Sequence, residues 1–468
     1  MIRVMVTQSA NKQKISLISL CLLGSAILGI GITIISQTIE ASTLRLLPWY
    51  SITGLVIFFI LTAIILFYRR LDLLSPWILY PLVYLTYYLI GSLNISTYRR
   101  EVDVGMLFPV VYLGLLGFLG GVLLAKIIPI SRKVVRPSKK LYLPGVWNAI
   151  IPFYLIGLLS LVLILLKNGI PLLGGVTRSG ILLRATVSPT LESFARLIWI
   201  SAAIYVIMVY SQTHSFDKKS ILLMIVTPLL LLPLGYRGYI VIFAVVVLIA
   251  LFHIRRPTLL ILFSILGLIT IASYLIWIVR YSVEGSLDIS TLARFYHFPI
   301  NNSFLFYLYS IMREDISLTS DILSSVAHGS FLGGRLFIAD LLTILPGKQQ
   351  SGPMMMAQML HGSGVAGLTV SIVGGLYFDF GTTGVAIGLL VIGFLCMTFY
   401  RRMLLSRSVT SMVLYSIIMT ESLHYLHRGV FSVNYIWDVL VALCICKVIE
   451  FKRMPNVEDA PSFKRTPS

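Results

Sequence analysis

The chain has 468 residues, 57% of them hydrophobic and 12% charged, with a net charge of +19 and a mean hydropathy of +0.93. Soluble domains carry about 25% charged residues, so this composition excludes a water-soluble globule, and continuous rather than alternating apolar runs exclude a membrane β-barrel. The positive charge sits mostly in short connectors between apolar runs, where it sets topology and meets anionic headgroups rather than nucleic acid.

Long apolar runs recur from residue 13 to residue 449. Backbone in lipid must satisfy its own N–H and C=O groups, so these runs read as helices, and the fold class is all-α: a polytopic membrane protein of about 12 to 14 transmembrane helices. Lys12 and Lys14 precede the first run, which lacks a small-residue cleavage site and reads as an uncleaved helix starting in the cytoplasm. The first nine spans are expected at 15–36, 48–68, 76–93, 104–126, 147–166, 194–211, 220–234, 238–254 and 258–279. Basic connectors follow the second span (Arg69, Arg70), the fourth (Lys126 to Lys140), the sixth (Lys218, Lys219) and the eighth (Arg255, Arg256). By the charge rule these are cytoplasmic, and the opposite connectors are external.

From Arg280 to Gly364 clear spans are scarce. The stretches 298–312, 328–347 and 353–360 read as short amphipathic or re-entrant helices at the membrane face. Further helices are expected at 365–380 and 384–400, joined by the turn FDFGTTG, then near 408–426 and 430–449. Arg401, Arg402 and Arg407 belong in the cytoplasm, so either a stretch within 320–345 crosses or a piece of 365–400 is re-entrant. The expected divisions are a transmembrane bundle at 1–279, a large periplasmic segment at 280–364, C-terminal transmembrane helices at 365–450 and a cytoplasmic tail at 451–468.

Several residues stand out against this background. GIPLLGGVTRSG at 169–180 breaks the helix after the fifth span and brings Arg178, then Arg184, to the external side. They fit either headgroup contact or an anionic substrate, whose phosphate oxygens a guanidinium fork matches. PLGYRGYI at 233–240 places Arg237 between glycines at the tip of a tight hairpin, costly to bury unpaired at the hydrocarbon edge; it either snorkels or serves a site. The external segment adds Arg294 and Arg335 as further cations, with His328 and His361 beside glycines as groups able to take a proton. Asp379, at the interface of a glycine-rich stretch, is either a turn element or a functional carboxylate. There is no HExxH and no DxD, and HYLH at 424–427 with Glu421 nearby reads as a polar helix terminus rather than a ligand set, so no metal is expected and no cofactor is implied.

An arginine between glycines in a tight hairpin (Gly235, Arg237, Gly238), a long external segment, and then Ser371, Gly374, Tyr377, Asp379, Phe380, Gly381 and Gly384 together form a recognisable pattern. From about residue 70 to 400 the chain resembles the Wzy-type O-antigen and oligosaccharide repeat-unit polymerases. The resemblance implies a bacterial inner-membrane glycosyltransferase that joins undecaprenyl-diphosphate-linked repeat units at the periplasmic face without a metal. It implies membrane lipids as surroundings, and a chain-length-regulating copolymerase and a flippase as partners. Carried over, it implies Arg237, with Arg178 and Arg335 as looser matches, as diphosphate ligands; Arg184 and Arg294 join them as neighbouring external cations, with Arg237, His328, His361 and Asp379 around the reaction. An O-antigen ligase and a polysaccharide or lipid-linked sugar transporter are the alternatives, although the inverted duplication expected of many transporters is not evident.

Overall fold

A computed structural model describes residues 72–129, 143–170, 189–234, 237–255, 259–284, 289–326, 331–343, 351–361 and 369–451. The spans expected at 15–36 and 48–68, and the C-terminal tail, lie outside the described residues. Among the described residues the protein is entirely helical. In chain order the helices are α1 Pro76–Ser92, α2 Val104–Ile127, α3 Leu143–Asn168, α4 Pro189–Ala195, α5 Leu197–Thr213, α6 Lys218–Leu231, α7 Arg237–Arg255, α8 Leu259–Glu284, α9 Ile289–Phe295, α10 Ser303–Val326, α11 Arg335–Leu342, α12 Gly352–His361, α13 Ile372–Ser406, α14 Val409–Arg428 and α15 Val433–Phe451. Five segments are long and apolar enough to cross a membrane by length and composition: Val104–Ile127, Gly145–Lys167, Thr190–Thr213, Arg237–Arg255 and Ile372–Ser406. The chain is a polytopic membrane protein.

Contacts sort the helix ends into two poles. At one, Tyr400 donates to Asp72 at 2.7 Å, Arg401 donates to the Ile128 carbonyl at 2.9 Å, His253 lies 3.5 Å from Asp72, and Thr410 donates to Glu450 at 2.8 Å. Lys126, Lys218, Lys219, Arg255, Arg401, Arg402 and Arg407 belong to the helix ends gathered there, which makes this the basic pole. The other ends form the distal pole. α1, α2, α3, α5, α6, α7, α8, α13, α14 and α15 run between the two.

α10 is long enough to span but carries Arg313, Glu314, Asp315 and Asp321. Instead of crossing, it lies over the distal ends of α1 and α2. Tyr309 donates to the Leu93 carbonyl at 2.8 Å, Arg313 donates to the carbonyls of Gly91 at 3.2 Å and Arg100 at 2.7 Å, and Ser320 accepts from the Asp103 N–H at 2.9 Å. Burial pulls the Arg313 guanidinium below its usual value, with Tyr309 and Glu101 acting the other way. The described part of 320–345 therefore stays at the distal pole, and the chain crosses once between 372 and 406.

α13 makes that crossing in two pieces. Gly381 breaks it with φ 69° and ψ −160°, a backbone region open essentially to glycine alone. The expected turn at 378–384 is this break. Beyond it, Gly117 and Gly121 of α2 pack directly against the Ala386 and Leu390 carbonyls of α13, and Gly393 packs against the Phe118 carbonyl. Small residues let the backbones approach where lipid supplies no hydrophobic drive between helices.

Candidate active site at the distal pole

The helix break builds the first part of the site. A helix end leaves carbonyls unpaired. Here the Phe378 and Asp379 carbonyls are taken by the N–H groups of Leu332 at 3.1 Å and Gly333 at 2.8 Å. The Asp379 carboxylate turns the other way and accepts from the N–H groups of Leu336 at 3.1 Å and Phe337 at 3.0 Å, in the first turn of α11. A carboxylate at a helix N-terminus satisfies unpaired donors and complements the helix dipole. The 331–343 segment is thereby docked on the broken helix, leaving Arg335 exposed at the start of α11.

Beneath this dock lies a cavity of 980 Å³ between α13, α14 and α15. Phe331, Phe337 and Phe431 line its distal mouth; Ile387, Val391 and Leu440 line its length, and all three are also exposed on the bundle surface. The groove is apolar and opens sideways toward the membrane. Its polar lining is confined largely to Asp379, Thr383, Glu421, Ser422 and Tyr435.

Glu421 leads into a buried ion cluster. Arg196, at the junction of α4 and α5, donates to Asp438 of α15 through Nε at 2.8 Å and again through Nη2, and to Glu421 of α14 at 3.0 Å. The side chains of Arg196, Asp438 and Glu421 are 1%, 0% and 4% exposed. Three helices are thus tied together by one guanidinium whose charge is fully countered. The second Glu421 oxygen lies 3.4 Å from Nδ1 of His424.

His424 and His427 occupy another face of α14. A Cβ on Gly238 would stand 3.6 Å from His424 Nε2, an ordinary van der Waals distance, so the start of α7 lies against this histidine. Arg237 is half-buried; it donates to the Tyr307 hydroxyl at 3.3 Å and sits 5.4 Å from that ring. Tyr307 in turn shares a 2.6 Å hydrogen bond with Ser273. Among the described residues Arg237 has no carboxylate partner. One turn beyond His424, His427 hydrogen-bonds the buried Asp315 of α10 through Nδ1, and the same carboxylate oxygen accepts from the Tyr87 hydroxyl of α1.

The sequence-derived candidates separate accordingly. Asp379 lines the groove, and Arg335 is exposed in the first turn of the helix that Asp379 caps. Arg237 stands across α14, beside His424. Arg294 is exposed in the last turn of α9, whose Leu292 and Ala293 pack with Tyr307. Arg178, Arg184 and His328 lie outside the described residues, as does the side chain of His361 at the end of α12. Sequence reasoning passed over Arg196, Asp438 and Tyr87, and gave Glu421, Asp315 and His427 little weight. The signal for Arg196, Glu421 and Asp438 was a single acid or cation inside an apolar run, costly unless paired. Among the described residues no three His, Cys, Asp or Glu side chains converge as metal ligands.

The model of the O-antigen polymerase family matches residues 30–437, which takes in the site up to the start of α15 and stops one residue short of Asp438. The chain belongs to the O-antigen polymerase family. No curated protein and no solved structure matches it. For an O-antigen polymerase, a membrane-open groove rising to a cation-bearing pole is the right kind of surface: its family acts on oligosaccharides attached to lipid. The groove ends at the distal pole on one side of α14, and Arg237 stands on the other.

Proposed function

We propose that this protein joins undecaprenyl-diphosphate-linked oligosaccharide repeat units by glycosyl transfer, with the distal pole facing the periplasm. The observation that carries the reading is the apolar groove of 980 Å³ ending at the distal pole under the 331–343 segment docked on Asp379. A polyprenyl tail entering sideways never leaves an apolar phase, so groove binding rests on packing and shape rather than on hydrophobic transfer. The headgroup then arrives at the pole, where guanidinium groups can fork onto phosphate oxygens. The basic pole faces the cytoplasm by the charge rule, which puts the sugar chemistry outside.

In this mechanism an acceptor hydroxyl attacks the anomeric carbon of the donor sugar. The bond from that carbon to the diphosphate oxygen breaks, and the electron pair leaves with the carrier diphosphate. Arg237, uncountered by any described carboxylate, is placed to stabilise the departing charge. The donor's diphosphate supplies the driving force, so neither nucleotide nor metal is required. Polymerisation needs two lipid-linked substrates at once, and the two cation-bearing regions flanking α14 suit that demand.

The test is reconstitution of purified protein in nanodiscs with undecaprenyl-diphosphate-linked repeat units and a chelator, followed by separation of the glycans by size. A ladder of lengthened glycans is expected. A folded protein that yields none with its native repeat unit overturns the reading, and transfer only onto a lipid A core acceptor would reassign the protein as a ligase.

A further inference from the structure

We propose that His427 is the proton acceptor of the transfer reaction and that Asp315 and Tyr87 position it; this rests on the glycosyl-transfer reading above. The Asp315 side chain is 1% exposed, whereas that of His427 is 37% exposed. A carboxylate can only accept hydrogen bonds, and three donors converge on this one: the Tyr87 hydroxyl and His427 Nδ1–H on one oxygen, and the Thr369 hydroxyl at 2.9 Å on the other. The contact therefore fixes the tautomer. The carboxylate contact keeps a proton on Nδ1 and leaves Nε2 as the ring nitrogen outside that contact, on the imidazole that is open at the pole. A merely structural ion pair would gain nothing from leaving one partner accessible.

The position fits the task. Asp315 comes from α10, Tyr87 from α1, Thr369 from the segment before α13 and His427 from the last turn of α14, so four separate pieces of chain hold one ring. His424, one turn back, faces Gly238 and hence the start of α7 that carries Arg237. The groups facing His427 are Asp315 and Tyr87, with His424 and Arg428 alongside on its own helix. When the acceptor oxygen bonds to the anomeric carbon, its proton passes to His427 Nε2. The resulting imidazolium is stabilised by Asp315, and the leaving electron pair remains on the carrier diphosphate.

The experiment uses the reconstituted full-length protein with His427→Ala and Asp315→Asn, measuring kcat, KM and rescue by added imidazole. Losing a general base costs about 10²- to 10⁴-fold in rate, so His427→Ala is expected to lose about that much kcat with KM little changed and to regain part of it with imidazole. If His427→Ala does not fold, Asp315→Asn decides the question: a fall in kcat at unchanged KM supports the pair, and a wild-type kcat overturns it. A folded His427→Ala that retains wild-type turnover, or that imidazole does not restore, also overturns it. A wild-type ladder accompanied by either result sinks this inference alone, whereas a wild type that makes no ladder sinks the polymerase reading.

Discussion

Arg196→Met isolates the contribution of the buried ion cluster. The substitution preserves much of the side-chain volume and removes the only cation that hydrogen-bonds both Asp438 and Glu421 among the described residues. The variant leaves these two buried carboxylates without their cation. Removing one partner of a buried pair costs about 3–5 kcal/mol. Thermal unfolding in detergent reads the loss. Arg196→Met combined with Asp438→Leu and Glu421→Leu should recover most of the loss, because an apolar replacement of similar volume leaves no charge uncountered. A deficit below about 1 kcal/mol would refute the view that the cluster holds α5, α14 and α15 together through charge.

Three further outcomes follow from the site. Arg237→Ala should lower kcat about 10²-fold, and Arg237→Lys should restore little, because an ammonium lacks the guanidinium fork; wild-type turnover in the lysine variant would argue against a forked diphosphate contact. Val391→Trp fills the groove midway and should raise KM for a substrate with a full polyprenyl tail while leaving a short-tailed analogue nearly unaffected, as measured by competition between the two. Asp379→Ala removes the carboxylate that caps α11 and should cost about 1–2 kcal/mol, with proteolysis or hydrogen exchange showing the loosening first at 331–343.

Hydropathy alone located the spans at 104–126, 147–166, 194–211 and 238–254, because a helix in lipid must be apolar over its whole length and each such run ends at a polar connector. The span expected at 104–126 is α2, Val104–Ile127, and the hairpin around Arg237 falls between α6 and α7 as its glycines suggested. The turn at FDFGTTG was legible too, since Gly381 is the residue that can adopt the break. What takes up the carbonyls freed by that break was not legible: Leu332 and Gly333 lie some 46 residues earlier in the chain, and nothing local marks them. The ion cluster shows the same limit. Arg196 sits at the start of an expected span, where a snorkelling cation is ordinary, and its partner Asp438 is 242 residues away. Only the isolated acid within the apolar run of α15 hinted that something had to counter it.

The arginines of the distal pole divide by the partners they have. Arg196 is countered by two carboxylates, and Arg313 is spent on the Gly91 and Arg100 carbonyls and on Asn94. Arg99 is paired with Glu314. These three fasten α10 and the ends of α1, α5, α14 and α15, and a substrate phosphate could claim them only by undoing the fold. Arg237 has a neutral hydroxyl for a partner, and Arg294 and Arg335 are exposed. A membrane protein has reason to bury a guanidinium beside carboxylates, where the pair helps fix helix positions. Holding one half-buried against a neutral tyrosine leaves its charge unanswered, and that charge is best answered by an anion that comes and goes. The sequence flagged Arg237 because glycines flank it; the stronger reason to place it at the reacting diphosphate is that the fold pairs Arg99 and Arg196 with carboxylates and gives Arg237 none among the described residues.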